Sequence, residues 1–172
     1  MAASQMTTAA DLFEQALEWL RQNYSALRFF VERDVVWTVQ SRIAQQIAQA
    51  QLPYKVFNDH PVLPGNRRHI AADIAILDAK TGALEVVAEF KYEPSHQRTD
   101  ILEQKLPVVF WRQGVIEDTA RIRQFVQQGG ARVAFAVFID EGGYFRNHTP
   151  PPASEWKDWG NGTWVLHTRA TP

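Results

Sequence analysis

Two mostly apolar runs, Ile70 to Leu77 and Ala83 to Tyr92, flank the segment Asp78-Ala79-Lys80-Thr81-Gly82. Aspartate, threonine and a glycine free to take a positive φ make that segment a turn. The two runs therefore fold back on each other as a β-hairpin. Asp73, Glu89 and Lys91 interrupt strands that otherwise read Ile70-Ala71-Ala72, Ile74-Ala75-Ile76 and Val86-Val87-Ala88. Side chains alternate along a strand, so Asp73 shares a face with Ala71 and Ala75, and Glu89 with Val87 and Lys91. A turn centred near Thr81 sets position 73 across from position 89, where Cβ atoms stand about 4.5–5.5 Å apart. Two carboxylates at that separation repel unless positive charge sits beside them. A divalent cation would supply it, and Lys91 adds a second positive charge on the same face.

These residue types suit phosphate chemistry. Mg²⁺ takes oxygen ligands, usually one or two carboxylates completed by water and substrate phosphate. It polarises a phosphoryl oxygen and acidifies a bound water. A nearby lysine orients that water or stabilises developing negative charge. It is a poor general base here, because adjacent carboxylates raise its pKa.

A third acid belongs with them. Helical spacing runs from about Val31 to Gln51, with Val35, Val36, Val39, Ile43 and Ile47 on one face, and Leu52-Pro53 ends it. Glu32 projects from that inward stripe, whereas Arg33 and Asp34 fall on the outer face. A glutamate on a buried stripe needs a partner. Any one of these residues has an ordinary explanation as a strand-end charge or an acid at a helix N-terminus. Their combination is hard to reconcile with a solvated surface.

The rest of the chain frames the hairpin. Leu12, Phe13, Ala16, Leu17 and Leu20 predict a first helix over about Ala9 to Asn23. Tyr54 to Phe57 reads as a short strand, and Asn58 to Arg68, with Pro61, Pro64 and Gly65, as a loop. A polar loop covers Glu93 to Arg98, and a short helix is expected from Thr99 to Leu106. Val115, Thr119, Ile122 and Val126 predict a helix closed by Gly129-Gly130. Ala131 to Ile139 suits a strand buried on both faces. Thr163 to His167 is expected as a last edge strand. The resulting expectation is a three-layer α/β/α arrangement, a central mixed sheet flanked by helices. It is read as one domain over 1–172: a core of about 31–139, an N-terminal helix in 1–30 and a C-terminal extension in 140–172.

With these residues in place the sequence resembles the PD-(D/E)xK nuclease superfamily, the restriction-endonuclease-like proteins, among its small stand-alone members. The carrying segments are Val31-Glu32-Arg33-Asp34-Val35, His69-Ile70-Ala71-Ala72-Asp73-Ile74-Ala75 and Ala88-Glu89-Phe90-Lys91. The likeness spans about Val31 to Ile139. Ala72 stands where the family motif often has proline. The resemblance implies a restriction-endonuclease-like fold and a metal-dependent nuclease. Asp73, Glu89 and Glu32 would hold or support Mg²⁺ or Mn²⁺, and Lys91 would assist the attacking water. It also implies a DNA-contacting face near the active edge, for which Arg67, Arg68, Arg98 and Lys105 are candidates, with Arg112 beside them. RNA is not excluded as substrate. The alternative is a catalytically inactive nucleic-acid-binding or assembly protein on the same fold. By analogy a homodimer is expected.

Composition sets the outer bounds. The formal net charge of −1 does not favour a protein that coats nucleic acid by bulk charge. No cysteine is present, which removes disulfides and thiolate metal sites. His60 and His69 lack the spacing of a paired-histidine site. Phe110, Trp111, Trp156, Trp159 and Trp164 are candidates to stack on bases, and Trp156-Lys157-Asp158-Trp159 for a dimer contact. No apolar run reaches the roughly 20 residues of a membrane span. Met1 to Ala10 does not read as a secretory signal, so a cytoplasmic location is expected.

Overall fold

The computed structural model describes residues 7–65, 69–101 and 106–172. Helix α1 (Ala9–Asn23) opens on Thr8, whose hydroxyl accepts from Asp11 N while Asp11 Oδ2 accepts from Thr8 N. That reciprocal cap satisfies two donors at the helix start. A 3₁₀ turn (Tyr24–Ala26) leads toward α2 (Glu32–Ala50). Asp34 Oδ2 accepts from Phe30 N and Val31 N and fixes where α2 begins. Three strands follow, β1 (Tyr54–Leu63), β2 (Ile70–Asp78) and β3 (Leu84–Glu93). A π-helical turn (Trp111–Ile116) runs into α3 (Glu117–Gln127). Strands β4 (Val133–Asp140), β5 (Ser154–Gly160) and β6 (Thr163–Ala170) complete the chain.

The six strands form one sheet in the order β1-β2-β3-β4-β6-β5. Only β3 and β4 are parallel; the other neighbours run antiparallel, so the sheet is mixed. Every residue of β4 is buried, as its unbroken apolar run predicts for a central strand. Alternation sends Ile74, Ile76, Val86, Ala88 and Phe90 to a core shared with Phe13, Leu20, Val35, Val39 and Ile43 of α1 and α2. Ala75, Val87 and Ala134 join Ile122 and Phe125 of α3 in a second core. The fold is thus α/β with helices packed on both faces of the sheet. Among the described residues no helix is long and apolar enough to cross a membrane.

Several expectations need correction. The segment 58–63 is strand, not loop, because β1 is an edge strand and an edge tolerates Pro61. Asp59, at φ 50°, and a register shift between Pro61 and Leu63 absorb the irregularity. The strand Thr163–Ala170 is not an edge; it lies between β4 and β5, and β5 takes the edge. Leu12, Phe13, Val165 and Leu166, outside 31–139, are fully or almost fully buried, so the first helix and the last strand also bury apolar surface. The helix expected at Thr99 to Leu106 falls mostly outside the described residues, and Thr99–Ile101 form bends.

Candidate active site

The β2–β3 ladder stops at Ile74↔Ala88. Beyond it each strand keeps only its outer partner: Ile70–Ala72 stay paired with β1, and Glu89–Glu93 with β4. The sheet opens into a wedge there, and Asp73 and Glu89 are the first residues past the last pair. Continuing the register sets them opposite each other, as expected, with the bulge confined to the turn end between Ile76 and Leu77. Asp73 Oδ2 accepts from Phe90 N at 2.7 Å and so takes the amide that the ended ladder leaves over.

Lys91 projects into the same wedge. Its ammonium lies 3.3 Å from Glu32 Oε2 and 3.1 Å from Asp118 Oδ2, and donates to Phe90 O at 2.9 Å. Glu32 is the first residue of α2, which brings it to the wedge mouth and gives it the partner a half-buried acid needs. Gly114, in the π-helical turn, packs close to the aliphatic stem of Lys91. Arg121 Nη1 lies 2.9 Å from Asp118 Oδ1 and 3.5 Å from Glu89 Oε2.

Asp118 and Arg121 were not singled out from the sequence. Asp118 carries the signal that marks Glu32: it lies on the apolar stripe of its helix, three residues after Val115 and four before Ile122. Arg121 gives no such signal.

Charge in the wedge is unbalanced. Among the described residues Glu32, Glu89 and Asp118 pair with Lys91 and Arg121, Asp73 has no ion pair, and Arg33 lines the hollow beside Glu32 and Asp73. Glu89 is 3% exposed, and its Oε1 has no hydrogen-bond partner among the described residues. Burial, then the charges of Asp73 and Asp118, push its carboxyl up to about 8. Burial likewise raises Asp73, Glu32 and Asp118. For Lys91, burial alone would lower the pKa, but Asp118 and Glu32 outweigh it and keep the ammonium charged. Asn58 Oδ1 is a second buried acceptor without a donor. It lines a hollow of about 40 Å³ with Glu32, Asp59 and Asp73, while Glu89, Lys91 and Asp118 line one of about 10 Å³. Such spaces suit a water or an ion, not a substrate.

Mg²⁺ or Mn²⁺ fits this donor set. Asp73 and Glu89 supply hard carboxylate oxygens, one of them an orphaned acceptor, and the local charge is short of cations. Among the described residues no three His, Cys, Asp or Glu side chains gather as a metal-holding group. The donor set available to an ion here is thus no more than the two carboxylates Asp73 and Glu89. His60 and His69 join no metal-holding group either.

The remaining candidates sort differently. Arg67, Arg68 and Lys105 lie outside the described residues. Arg98 is largely buried and engages Asp100, Glu141, the Tyr92 hydroxyl and Phe29 O, with its guanidinium over the Phe30 ring. It anchors the chain after β3. Arg112 is exposed on the π-helical turn. Trp111 stacks on His148 and lies parallel to Trp156, Trp159 packs on Tyr24, and Trp164 lies under Arg146, while Phe110 stays 62% exposed. No protein-family model matches the chain, and no curated protein does.

Proposed function

We propose that the chain is a metal-dependent nuclease of the restriction-endonuclease-like kind, hydrolysing DNA phosphodiester bonds with Mg²⁺ or Mn²⁺. The observation that carries this reading is Glu89 Oε1, buried without a donor among the described residues, in a wedge it shares with Asp73, Asp118 and Lys91. The layered arrangement of helices on both faces of a mixed sheet is compatible with that fold.

When bound, the ion would polarise the scissile phosphate and acidify an attacking water. Asp73 and Glu89 are the residues to hold it. Lys91, kept protonated by Glu32 and Asp118, presents a fixed positive charge where negative charge builds on the phosphate. Asp118 and Arg121 hold Lys91 and Glu89 in place from α3. Cleavage of plasmid and single-stranded DNA in Mg²⁺ tests the reading, comparing wild type with Asp73→Ala and Lys91→Ala. Cutting in wild type and loss in both variants is expected; undiminished cutting in both sinks the mechanism.

One observation favours a second reading, a nucleic-acid-binding protein that does not cut. Lys91 is already held between two carboxylates, and no three-residue metal group gathers among the described residues. Calorimetric titration with Mn²⁺ separates the two. Binding that vanishes in Asp73→Ala supports the nuclease, and no binding to wild type supports the alternative.

A further inference from the structure

Beside the wedge lies a far larger hollow, a groove of about 820 Å³ between α1, the 3₁₀ connector and α2. Its walls are aromatic and basic: Trp19, Phe30 and Trp37 with Arg28 and Arg42. Trp37 is 53% exposed and Phe30 45% exposed. Asp34 is the acid on the lining, and its carboxylate is engaged by the amides of Phe30 and Val31. The Arg42 guanidinium lies over Trp19, 5.2 Å from the ring centroid, with Nη1 donating to Gln45 Oε1. Arg28 is two-thirds exposed, in an ion pair with Asp100 that solvent weakens. The groove adjoins the wedge, because Trp37 lines both it and the small hollow that holds Glu32 and Asp73.

We infer that this groove binds a single-stranded segment of nucleic acid and leads it to the wedge. The inference rests on the nuclease reading for its role and deepens it by naming the substrate class. Aromatic faces recognise any base, but only where the base is unstacked and unpaired, which a duplex forbids. Arginines beside them meet the phosphates between successive bases. The complementarity is local: positive side chains line this groove on a chain whose net charge is −1. A wholly apolar partner would bury the Arg28 guanidinium, two-thirds exposed here, against an apolar surface, so a lipid or an aliphatic peptide fits less well.

The test is fluorescence anisotropy with a labelled oligothymidylate and a labelled duplex of equal length, without divalent ions so that nothing is cut. Wild type is expected to bind the single strand more tightly than the duplex. Trp37→Ala weakens single-strand binding about tenfold, and Arg28→Gln reduces its salt dependence by about one counterion. Both side chains are largely solvent-facing, and circular dichroism checks that the variants fold. Equal binding of single strand and duplex, no binding of either, or an unchanged affinity in Trp37→Ala overturns the inference. The nuclease reading fails separately: single-strand binding lost in Trp37→Ala with no cutting in Mg²⁺ leaves the groove standing and removes the enzyme. Cutting that depends on Asp73 with an unchanged affinity in Trp37→Ala does the reverse.

Discussion

Glu89 and Glu93 sit four residues apart on β3, both buried, and the protein treats them in opposite ways. Both oxygens of Glu93 have donors: Val108 N and His96 Nε2 at Oε1, Val109 N at Oε2. Glu89 has an ion pair with Arg121 at 3.5 Å and an oxygen with nothing. Glu93 lies where the segments after β3 return over the sheet and bring amides with them. Glu89 lies where the β2–β3 ladder has ended, and the one amide left over goes to Asp73. The pair teaches that this fold can satisfy a buried carboxylate, and the oxygen left without a donor among the described residues is the one the proposed ion would meet.

The largest effect should separate the two acids by activity. Glu89→Gln and Asp73→Asn are each expected to lower Mg²⁺-dependent DNA cleavage about 100- to 1,000-fold. Glu93→Gln should leave the rate per folded molecule close to wild type. A cleavage assay on samples matched by folded fraction checks this. Equal losses at both glutamates break the comparison.

Stability should sort them the other way. Glu93→Gln places an amide NH₂ or a lone neutral acceptor against donors arranged for a carboxylate, and is expected to cost about 3 kcal/mol in urea denaturation. Glu89→Gln removes a buried charge that lacks a donor and should be neutral or stabilising at pH 8 in the absence of metal.

Protons sharpen the contrast further. The folded state holds the Glu89 proton more tightly than the unfolded chain does, with a carboxyl raised from its ordinary 4.5 to about 8. Metal-free stability is therefore lost as the pH rises from the unfolded value through about 8. His167, which burial lowers to about 4, acts in the opposite sense, but only below its ordinary 6.5. Between those two limits, pH 6.5 and 8, denaturation should show a loss of about 2 kcal/mol that Glu89→Gln flattens. Mn²⁺ should restore more stability at pH 8 than at pH 6.5, because a ligating carboxylate must first lose its proton.

Much of this was legible because strands and helices write their faces into the sequence. The hairpin register followed from the turn and the alternation of Asp73 with Glu89, and Glu32 stood out as a charge on an apolar helical stripe. What escaped had weak local signals. Pro61 disguised β1, since nothing in the sequence says that a strand will be an edge. Strand β5, Ser154–Gly160, hid among alternating charges and two tryptophans that pack into different clusters, Trp156 with Phe138 and Leu166 and Trp159 with the α1–α2 core. The π-helical turn shifts the start of α3 by an extra residue that no periodicity predicts. Asp118 met the same test as Glu32, but its stripe could be read through Thr119 instead.

Asp118 is also where the smallest and most discriminating effect lies. Its carboxylate is the nearest acid to the Lys91 ammonium, at 3.1 Å against 3.3 Å for Glu32. It touches Lys91, not the phosphate, so it acts as a positioning residue. Asp118→Asn keeps the shape of the side chain, removes its charge and lets Lys91 swing toward Glu32. The expected result is a fall in kcat of about tenfold with KM little changed. Lys91 also loses the charge that most strongly favours its protonated form, so the alkaline limb of the pH–rate profile should move to lower pH. A purely structural role for Asp118 predicts a lower folded fraction with the limb unmoved. An unmoved limb with normal kcat per folded molecule would return Asp118 to the class of Glu93, leaving Asp73 and Glu89 as the wedge acids that the proposed chemistry uses.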